Sequence, residues 1–194
     1  PGAKPMMPNS EALKQAIRIG LMLGCKINNE FYWQRKHYDW PDLPKGYQTT
    51  ISGAGAIPVG NNGRFYGINI WSMHLEEDPA SWDPDIGCID YNRSGLPLVE
   101  IVTAPDFTNA EQVEDWLKKL IHNLSYLKAI DSNAGIKVDV NVSLFGKTER
   151  VEIKNLNSIE NIRKAVIYEL ERQAKEGSDR ETRRFDAEKS KTIR

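Results

Sequence analysis

The segment 137–154 decides the fold class, and it reads Lys-Val-Asp-Val-Asn-Val-Ser-Leu-Phe-Gly-Lys-Thr-Glu-Arg-Val-Glu-Ile-Lys. Apolar and polar residues alternate from Val138 to Leu144 and again from Arg150 to Lys154. Alternation with a period of two is typical of strands that bury one face. Because Gly146-Lys147 lies between the two runs, the segment predicts a β-hairpin with a two-residue turn.

The polar face of this hairpin is the first candidate site. The predicted turn places Asn141 opposite Glu152 and Asp139 opposite Lys154. Asp and Asn are poor strand formers, and short carboxylates suit a hard cation such as Mg²⁺. We therefore expect Asp139 and Glu152 to reach a single Mg²⁺. The alternative is a solvent-exposed face with cross-strand ion pairs, and the alternation alone leaves both interpretations open.

Helices are predicted on both sides of the hairpin from apolar residues at helical spacing. Asn9 or Ser10 is expected to cap the first helix, which stops at Gly24. Thr108 and Glu111 are expected to form a capping box for the second. The third begins at 157–160 and ends near Gly177. The predicted inner faces are Leu13, Ile17, Leu21 and Met22; Val113, Leu117, Leu120, Ile121, Leu124 and Leu127; and Ile159, Ile162, Val166 and Leu170.

Further strands are predicted at 65–75, 88–91 and 98–103. Segments 26–48, 51–64 and 79–87 contain many Gly, Pro and polar residues and are predicted to be loops and turns. The segment from Ser178 onward is highly charged. Strands and helices are mixed without a repeating βαβαβ order, so the predicted class is α+β, with a mixed or antiparallel sheet and packed helices in a single domain, 1–194.

Composition excludes several classes of protein. The 194 residues carry a formal net charge of −1, so the chain as a whole is not an electrostatic binder of nucleic acid. Cys25 and Cys88 are far apart and have no metal-ligand spacing. No apolar run approaches the roughly 20 residues that span a bilayer. A cytoplasmic protein with no membrane partner is predicted.

Two other places carry residues suited to chemistry. Glu76 and Glu77 lie at a predicted strand end and face opposite sides if the chain is extended there. Arg93 lies in the predicted turn 92–95, where a planar guanidinium suits phosphate or carboxylate recognition. The alternatives are a polar strand terminus and an ordinary surface arginine.

Five strings in this sequence also carry a resemblance to a known family. They are Tyr38–Gln48, His74–Asp78, Asp90–Val102, Asp139–Ser143 and Glu152–Ser158, with a shorter sixth string at Glu181–Arg183. In content and order they resemble the B subunit of the aminoacyl-tRNA amidotransferases. Together they span most of the chain.

The resemblance implies a fold and an activity. The fold is a cradle-shaped catalytic domain similar to glutamine synthetase. The activity is that of a ligase: ATP and Mg²⁺ convert the side-chain carboxylate of Glu-tRNA(Gln) or Asp-tRNA(Asn) into an acyl phosphate, which glutamine-derived ammonia then amidates. The implied partners are the A subunit, which is the glutaminase, the C subunit of a heterotrimer, and the tRNA. The sequence leaves open which tRNA is used.

The resemblance also implies roles for particular residues. The implied metal ligands are Glu76, Glu77, Asp139 and Glu152, with Glu76 or Glu77 approaching the pocket of the other two. The implied catalytic residues are Arg93, Asn141 and Lys154. The implied nucleotide-binding residues are Arg93, Lys154 and Asn155.

The sequence departs from the family pattern in several places. The family's Glu-x-His strand and zinc knuckle would precede Pro1, and its helical and tail domains, which grip tRNA, would follow Arg194. Pro79-Ala80-Ser81 stands where the family often has Ala-Gly-Lys, and Lys137 replaces an arginine. The isolated chain is therefore expected to be inactive. The rival interpretation is an assembly or tRNA-binding module without a complete metal site.

Overall fold

The computed structural model describes residues 7–50, 55–83, 86–131 and 136–194. The chain forms two compact units, which we call the N-terminal unit (Pro1–Asp106) and the C-terminal unit (Phe107–Arg194). Helices together with antiparallel and mixed sheets in the described residues confirm the α+β class. The prediction of one family domain spanning 1–194 stays a prediction. None of the described helices combines the length and apolarity that a bilayer span requires.

The N-terminal unit is built around one long strand. Its described elements are α1 (Ser10–Met22), β1 (Lys26–Ile27), β2 (Gln34–His37), β3 (Tyr47–Thr50), β4 (Gly60–Phe65), β5 (Ile68–Glu77), β6 (Ser81–Asp83), β7 (Cys88–Asp90) and β8 (Pro97–Thr103). The main sheet has the order β1-β4-β5-β3-β2, and β8 also pairs with β5. The pairings between these described strands are antiparallel. The ten residues of β5 therefore hold the sheet together.

Helix α1 begins where the sequence predicted but buries a different face. Asn9 caps it by accepting hydrogen bonds from the backbone N–H groups of Glu11 and Ala12 at 3.0 Å. The buried positions include Ala16, Ile19 and Leu23, whereas Leu21 is 61% exposed. The prediction that Leu21 faces the core was wrong. It relied on large apolar side chains, whereas small residues such as Ala16 form part of the buried face of the helix.

The prediction of turns at 51–64 was wrong for residues 60–64, which belong to strand β4. Residues 51–54 lie outside the described ranges. The glycines of β4 allow close packing. A Cβ on Gly63 would lie 2.6 Å from Cys25 Sγ and 2.7 Å from the Leu23 carbonyl oxygen. Glycine inside a strand often marks such an approach. The loops predicted at 26–48 and 79–87 likewise contain strands, β1 to β3 and β6.

The C-terminal unit is a mixed sheet covered by helices. Its described elements are α2 (Ala110–Leu127), β9 (Val138–Val142), β10 (Val151–Leu156), α3 (Ile159–Glu176), β11 (Glu181–Asp186) and β12 (Lys191–Ile193). The strand order is β12-β11-β10-β9. Strands β10 and β11 are parallel and α3 connects them, whereas the other two pairs are antiparallel. The highly charged segment after Ser178 thus supplies two strands.

The helix boundaries in this unit differ slightly from prediction. The cap of α2 is Asn109, which accepts a hydrogen bond from the Gln112 N–H at 2.8 Å, so the predicted box at Thr108 and Glu111 is shifted by one residue. Ser158 caps α3, and Gly177 ends it as predicted. Shifts of one residue are common at helix ends, where the capping side chain decides the start.

A buried carboxylate fixes α3 to the sheet. Glu169 is fully buried, and Gln173 beside it is 2% exposed. Glu169 Oε1 accepts hydrogen bonds from Arg172 Nη2 at 2.6 Å and Gln173 Nε2 at 3.0 Å, and Oε2 accepts one from Thr192 Oγ1 at 2.6 Å. Gln173 Nε2 also donates to the Val142 carbonyl oxygen at 3.1 Å. Near Leu170, the last residue of the predicted apolar stripe, α3 therefore buries polar side chains instead. Their hydrogen bonds join α3 to β9 and β12.

The pKa of Glu169 reflects this environment. Burial raises the pKa of its carboxyl, but the hydrogen bonds from Arg172, Thr192 and Gln173 outweigh burial and hold the pKa below its ordinary value. The carboxylate is consequently ionised inside the unit and fully supplied with donors.

We predict that Glu169→Gln lowers the free energy of unfolding by about 3 kcal/mol, because the nearly buried Arg172 loses its shortest ion pair, at 2.6 Å, and keeps only the longer contacts with Glu176 and Glu181, at 3.5 and 3.4 Å. Because the folded pKa of Glu169 is lowered, its contribution is fully present above the unfolded pKa near 4.5 and is lost as pH falls below that value. Urea denaturation between pH 3 and 7 measures both effects.

Glu171→Gln is the matched control, because Glu171 is exposed on the same helix. Its change should stay below about 0.5 kcal/mol. Equal effects of the two substitutions would contradict the role assigned to Glu169.

Candidate functional site

The predicted hairpin is present, with a longer connection than expected. Asn141 and Glu152 are Cα partners, as predicted. Residues 143–150 connect the strands, so the two-residue turn at Gly146-Lys147 was wrong. The register shifts between Ile153 and Leu156, so the structure gives no Cα pairing of Asp139 with Lys154, although their side chains meet.

The two faces of this sheet differ sharply in burial. Val151 and Ile153 are fully buried, whereas Asp139, Glu152 and Lys154 are half-exposed on the opposite face. Parallel pairing with β11 adds Thr182 beside Glu152 and Arg184 beside Lys154. We call the surface formed by Asp139, Asn141, Glu152, Lys154, Thr182 and Arg184 the carboxylate face.

Lys154 holds the carboxylate face together. Its Nζ lies 3.0 Å from Asp139 Oδ2 and 3.2 Å from Glu152 Oε1. Burial lowers the pKa of Lys154, but its contacts with Asp139 and Glu152 outweigh burial and raise the pKa above its ordinary value. On the other side, Thr182 Oγ1 donates to Glu152 Oε2 at 3.4 Å. One cationic group therefore bridges both carboxylates.

These contacts test whether the residues present fit Mg²⁺. Both carboxylates reach one cation, and each is partly open to solvent. Mg²⁺ commonly takes one or two protein carboxylates and completes its shell with water and phosphate oxygens. Asp139 and Glu152 fit that donor set. Among the described residues, no group of three or more His, Cys, Asp or Glu side chains has metal-binding geometry, so the larger predicted ligand set stays a prediction.

The second candidate cluster lies at the end of β5 in the N-terminal unit. Glu76 accepts hydrogen bonds from the Thr50 hydroxyl and, at 3.3 Å, from Gln48 Nε2. Glu77 forms an ion pair with Lys45. Burial raises the pKa of Glu77, but hydrogen bonds from Lys45 and Thr49 outweigh burial and hold the pKa below its ordinary value. Both carboxylates are thus supported by strand β3 and the segment before it.

Arg93 lies in a turn, as predicted, and is anchored there. Its Nη2 lies 2.8 Å from Oδ2 of Asp78, whose side chain is 7% exposed. Asp78 also fixes the turn through its backbone, because its carbonyl accepts from the Gly95 N–H and its N–H donates to the Leu96 carbonyl, both at 2.8 Å. Asp78 therefore orients the guanidinium of an arginine whose side chain remains 43% exposed.

A cleft of about 270 Å³ lies beside this cluster within the N-terminal unit. Its walls include Lys45, Gln48, Glu77 and Asp78. The Lys45 ammonium lies 5.0 Å from the centre of the Tyr47 ring. Sequence reasoning missed Lys45 and Gln48 as candidate residues because only the pairing of β3 with β5 brings them to Glu76 and Glu77.

The structure thus gathers the predicted residues in two groups. Asp139, Asn141, Glu152 and Lys154 share the carboxylate face of the C-terminal unit, and the other group lies around the end of β5. That the two groups serve one pocket stays a prediction. The side chain of Asn155, predicted to bind nucleotide, lies outside the described part of the structure.

Comparison with known protein families shows to which family the chain belongs. The model of the family described as "GatB/GatE catalytic domain" matches residues 1–194. The chain belongs to that family. The GatB/GatE match covers both compact units and every predicted site residue, so the resemblance seen in the sequence is confirmed.

Relatives with curated names point to the same family. Three proteins named as the B subunit of an aspartyl/glutamyl-tRNA(Asn/Gln) amidotransferase are 46% identical (Methanopyrus kandleri), 47% identical (Methanocaldococcus jannaschii) and 49% identical (Methanothermobacter thermautotrophicus) to this chain. The alignments cover 100%, 95% and 89% of the chain and 42%, 40% and 37% of the relatives. The chain therefore spans about two fifths of the length of these relatives.

We predict that Asp78→Asn lowers the free energy of unfolding by about 2 kcal/mol, because it removes the negative charge of a buried carboxylate that pairs with Arg93. Urea denaturation measures the loss. Hydrogen exchange at the amides of residues 93–96 should rise at the same time, because the Asp78 carboxylate anchors the side chain of Arg93, which lies in this turn.

Asp39→Asn is the control, because Asp39 is exposed on the same unit. Its effect should stay below about 0.5 kcal/mol. Unchanged exchange in the turn of the Asp78 variant would contradict the anchoring role.

Proposed function

We propose that this chain is part of the catalytic domain of a tRNA-dependent amidotransferase, which amidates Glu or Asp already attached to tRNA. The observation that carries the proposal is the carboxylate face, on which Asp139 and Glu152 reach one cation in a chain of the GatB/GatE family. The names of the curated relatives supply the reaction class.

The proposed reaction has two steps. An oxygen of the side-chain carboxylate attacks the γ-phosphorus of ATP, ADP leaves, and an acyl phosphate forms. Ammonia then attacks the acyl carbon, inorganic phosphate leaves, and the nitrogen loses a proton to give the amide. Both steps concentrate negative charge on phosphate oxygens, so positioning and charge neutralisation carry most of the catalysis.

Residues of the carboxylate face are suited to that task. Asp139 and Glu152 would hold Mg²⁺, which supplies charge neutralisation at the phosphate when it is bound. The Lys154 ammonium is assigned to a phosphate or carboxylate oxygen. Asn141 lies opposite Glu152 on the neighbouring strand, from which its amide can donate to the substrate or accept from it. Thr182 donates a hydrogen bond to Glu152 at 3.4 Å.

Residues of the N-terminal unit complete the proposal. Glu76 and Glu77 are assigned to the metal, and Arg93, oriented by Asp78, to an anionic group of the substrate. Lys45 neutralises Glu77 in this structure and borders the cleft. These assignments require that both groups of residues serve the same substrate.

The proposed partners follow from the reaction. Ammonia must be supplied by a glutaminase, which we assign to an A subunit, with a C subunit completing a cytoplasmic heterotrimer. The near-neutral charge of the chain gives it little long-range attraction for tRNA. Most of the contacts that bind tRNA are therefore assigned to other parts of the complex.

We expect Glu77→Gln and Glu152→Gln to lower the rate of Gln-tRNA formation by about 10²-fold or more, because each removes a charge from the predicted metal site. The complete complex is supplied with Glu-tRNA(Gln), ATP and Mg²⁺. Ammonium replaces glutamine, so that the assay does not depend on the glutaminase.

Glu171→Gln is the control, and assembly of the complex is followed by gel filtration for each variant. Normal amidation by both site variants would overturn the proposed site. It would favour an assembly or tRNA-binding role for the chain.

A further inference from the structure

The Lys154 ammonium lies where a metal shared by Asp139 and Glu152 would have to bind. Its Nζ contacts an oxygen of each carboxylate, at 3.0 and 3.2 Å. A point within reach of both carboxylates can hold an ammonium or a metal ion, but not both. The proposed function places a metal ion there, so the lysine must leave.

We propose that Lys154 is an internal cation that a divalent metal displaces, and that its displacement prepares the carboxylate face for a phosphate. The inference rests on the proposed function. It adds an order of events: metal exchange comes first, and binding of the anionic group follows.

The solvent exposure of these side chains keeps the free-energy cost of displacing the ammonium small. The side chains of Lys154 and Asp139 are 45% and 51% exposed. Ion pairs at such exposure are weak, because water solvates both partners well when they separate. Lysine also carries its charge on a flexible four-carbon stem, so the ammonium can move several ångströms while the backbone of β10 stays in place.

Glu152 has a contact besides the one with Lys154. Its Oε1 faces the ammonium, but its Oε2 accepts a hydrogen bond from Thr182 Oγ1 at 3.4 Å. Thr182 on β11 can therefore still donate to Glu152 after the ammonium has left. A carboxylate held in this way remains available to an incoming metal.

Charge explains why the order matters. With Lys154 in place, the two carboxylates, the ammonium and Arg184, the Cα partner of Lys154, carry no net charge, so the face has little attraction for a phosphate. When a divalent metal takes the place of the ammonium and Lys154 stays nearby, the same groups carry two net positive charges. The exchange thus converts a face of zero net charge into one that attracts anions.

The test measures Mn²⁺ binding to the complete protein by electron paramagnetic resonance of the free ion, without nucleotide. Lys154→Met should tighten Mn²⁺ binding by about threefold to tenfold, because the metal no longer competes with an ammonium. The same variant should weaken ADP binding in saturating Mg²⁺, measured by calorimetry. Opposite signs for metal and nucleotide are the signature of a displaced internal cation.

Arg184→Met is the matched control. It removes the same charge from the same face, but within the described residues Arg184 pairs with neither carboxylate. Its effect on Mn²⁺ binding should stay below about twofold, because salt screens charges that are not in contact. Equal tightening by both variants would overturn the proposal, since net charge alone would then explain the result.

Glu152→Gln separates this inference from the proposed function. If Glu152→Gln weakens Mn²⁺ binding while Lys154→Met leaves it unchanged or weaker, only the displacement is overturned. If Glu152→Gln leaves Mn²⁺ binding unchanged, or if the unsubstituted protein binds no Mn²⁺, the metal assignment fails and the displacement fails with it. Thermal denaturation of each variant verifies that the protein is folded.

Discussion

The buried carboxylate of Glu169 is the constraint on which the C-terminal unit depends. An ionised group without solvent is tolerated only when donors surround it. Arg172 and Gln173 come from its own helix, but Thr192 comes from β12, so the charge is satisfied only when α3 lies correctly on the sheet. Docking of α3 in turn covers the apolar side of β10 and leaves the opposite side polar.

The two faces of β10 therefore have separate tasks. Val151 and Ile153 anchor the strand in the core, while Glu152 and Lys154, which alternate with them, carry charge outward. A rigid strand presents charged groups more accurately than a loop does. The N-terminal unit uses a comparable arrangement, because Glu76 and Glu77 lie at the end of its central strand and the neighbouring strand β3 supports them.

Sequence reasoning succeeded where the pattern was local. Alternation in 137–154 was sufficient to predict the hairpin, its two faces and the pairing of Asn141 with Glu152. It failed where long-range packing overrides local preference. Glycines in β4 suggested turns because the close approach of Cys25 to Gly63 is invisible in a linear sequence. Glu169 was missed because a lone glutamate does not reveal that it is buried or that Thr192, 23 residues away, donates to it, and Lys45 was missed because its partner Glu77 is also distant in sequence.

The parallel pairing of β10 with β11 has a consequence for how the molecule folds. The β9–β10 hairpin closes over a short stretch of chain and can form quickly, but Thr182 reaches Glu152 only after the whole of α3 has crossed over. Contacts between parallel strands close long loops and form late. We expect nascent chains to hold Asp139 near Lys154 well before Thr182 reaches Glu152, so the carboxylate face is completed with the last crossover rather than with the first hairpin.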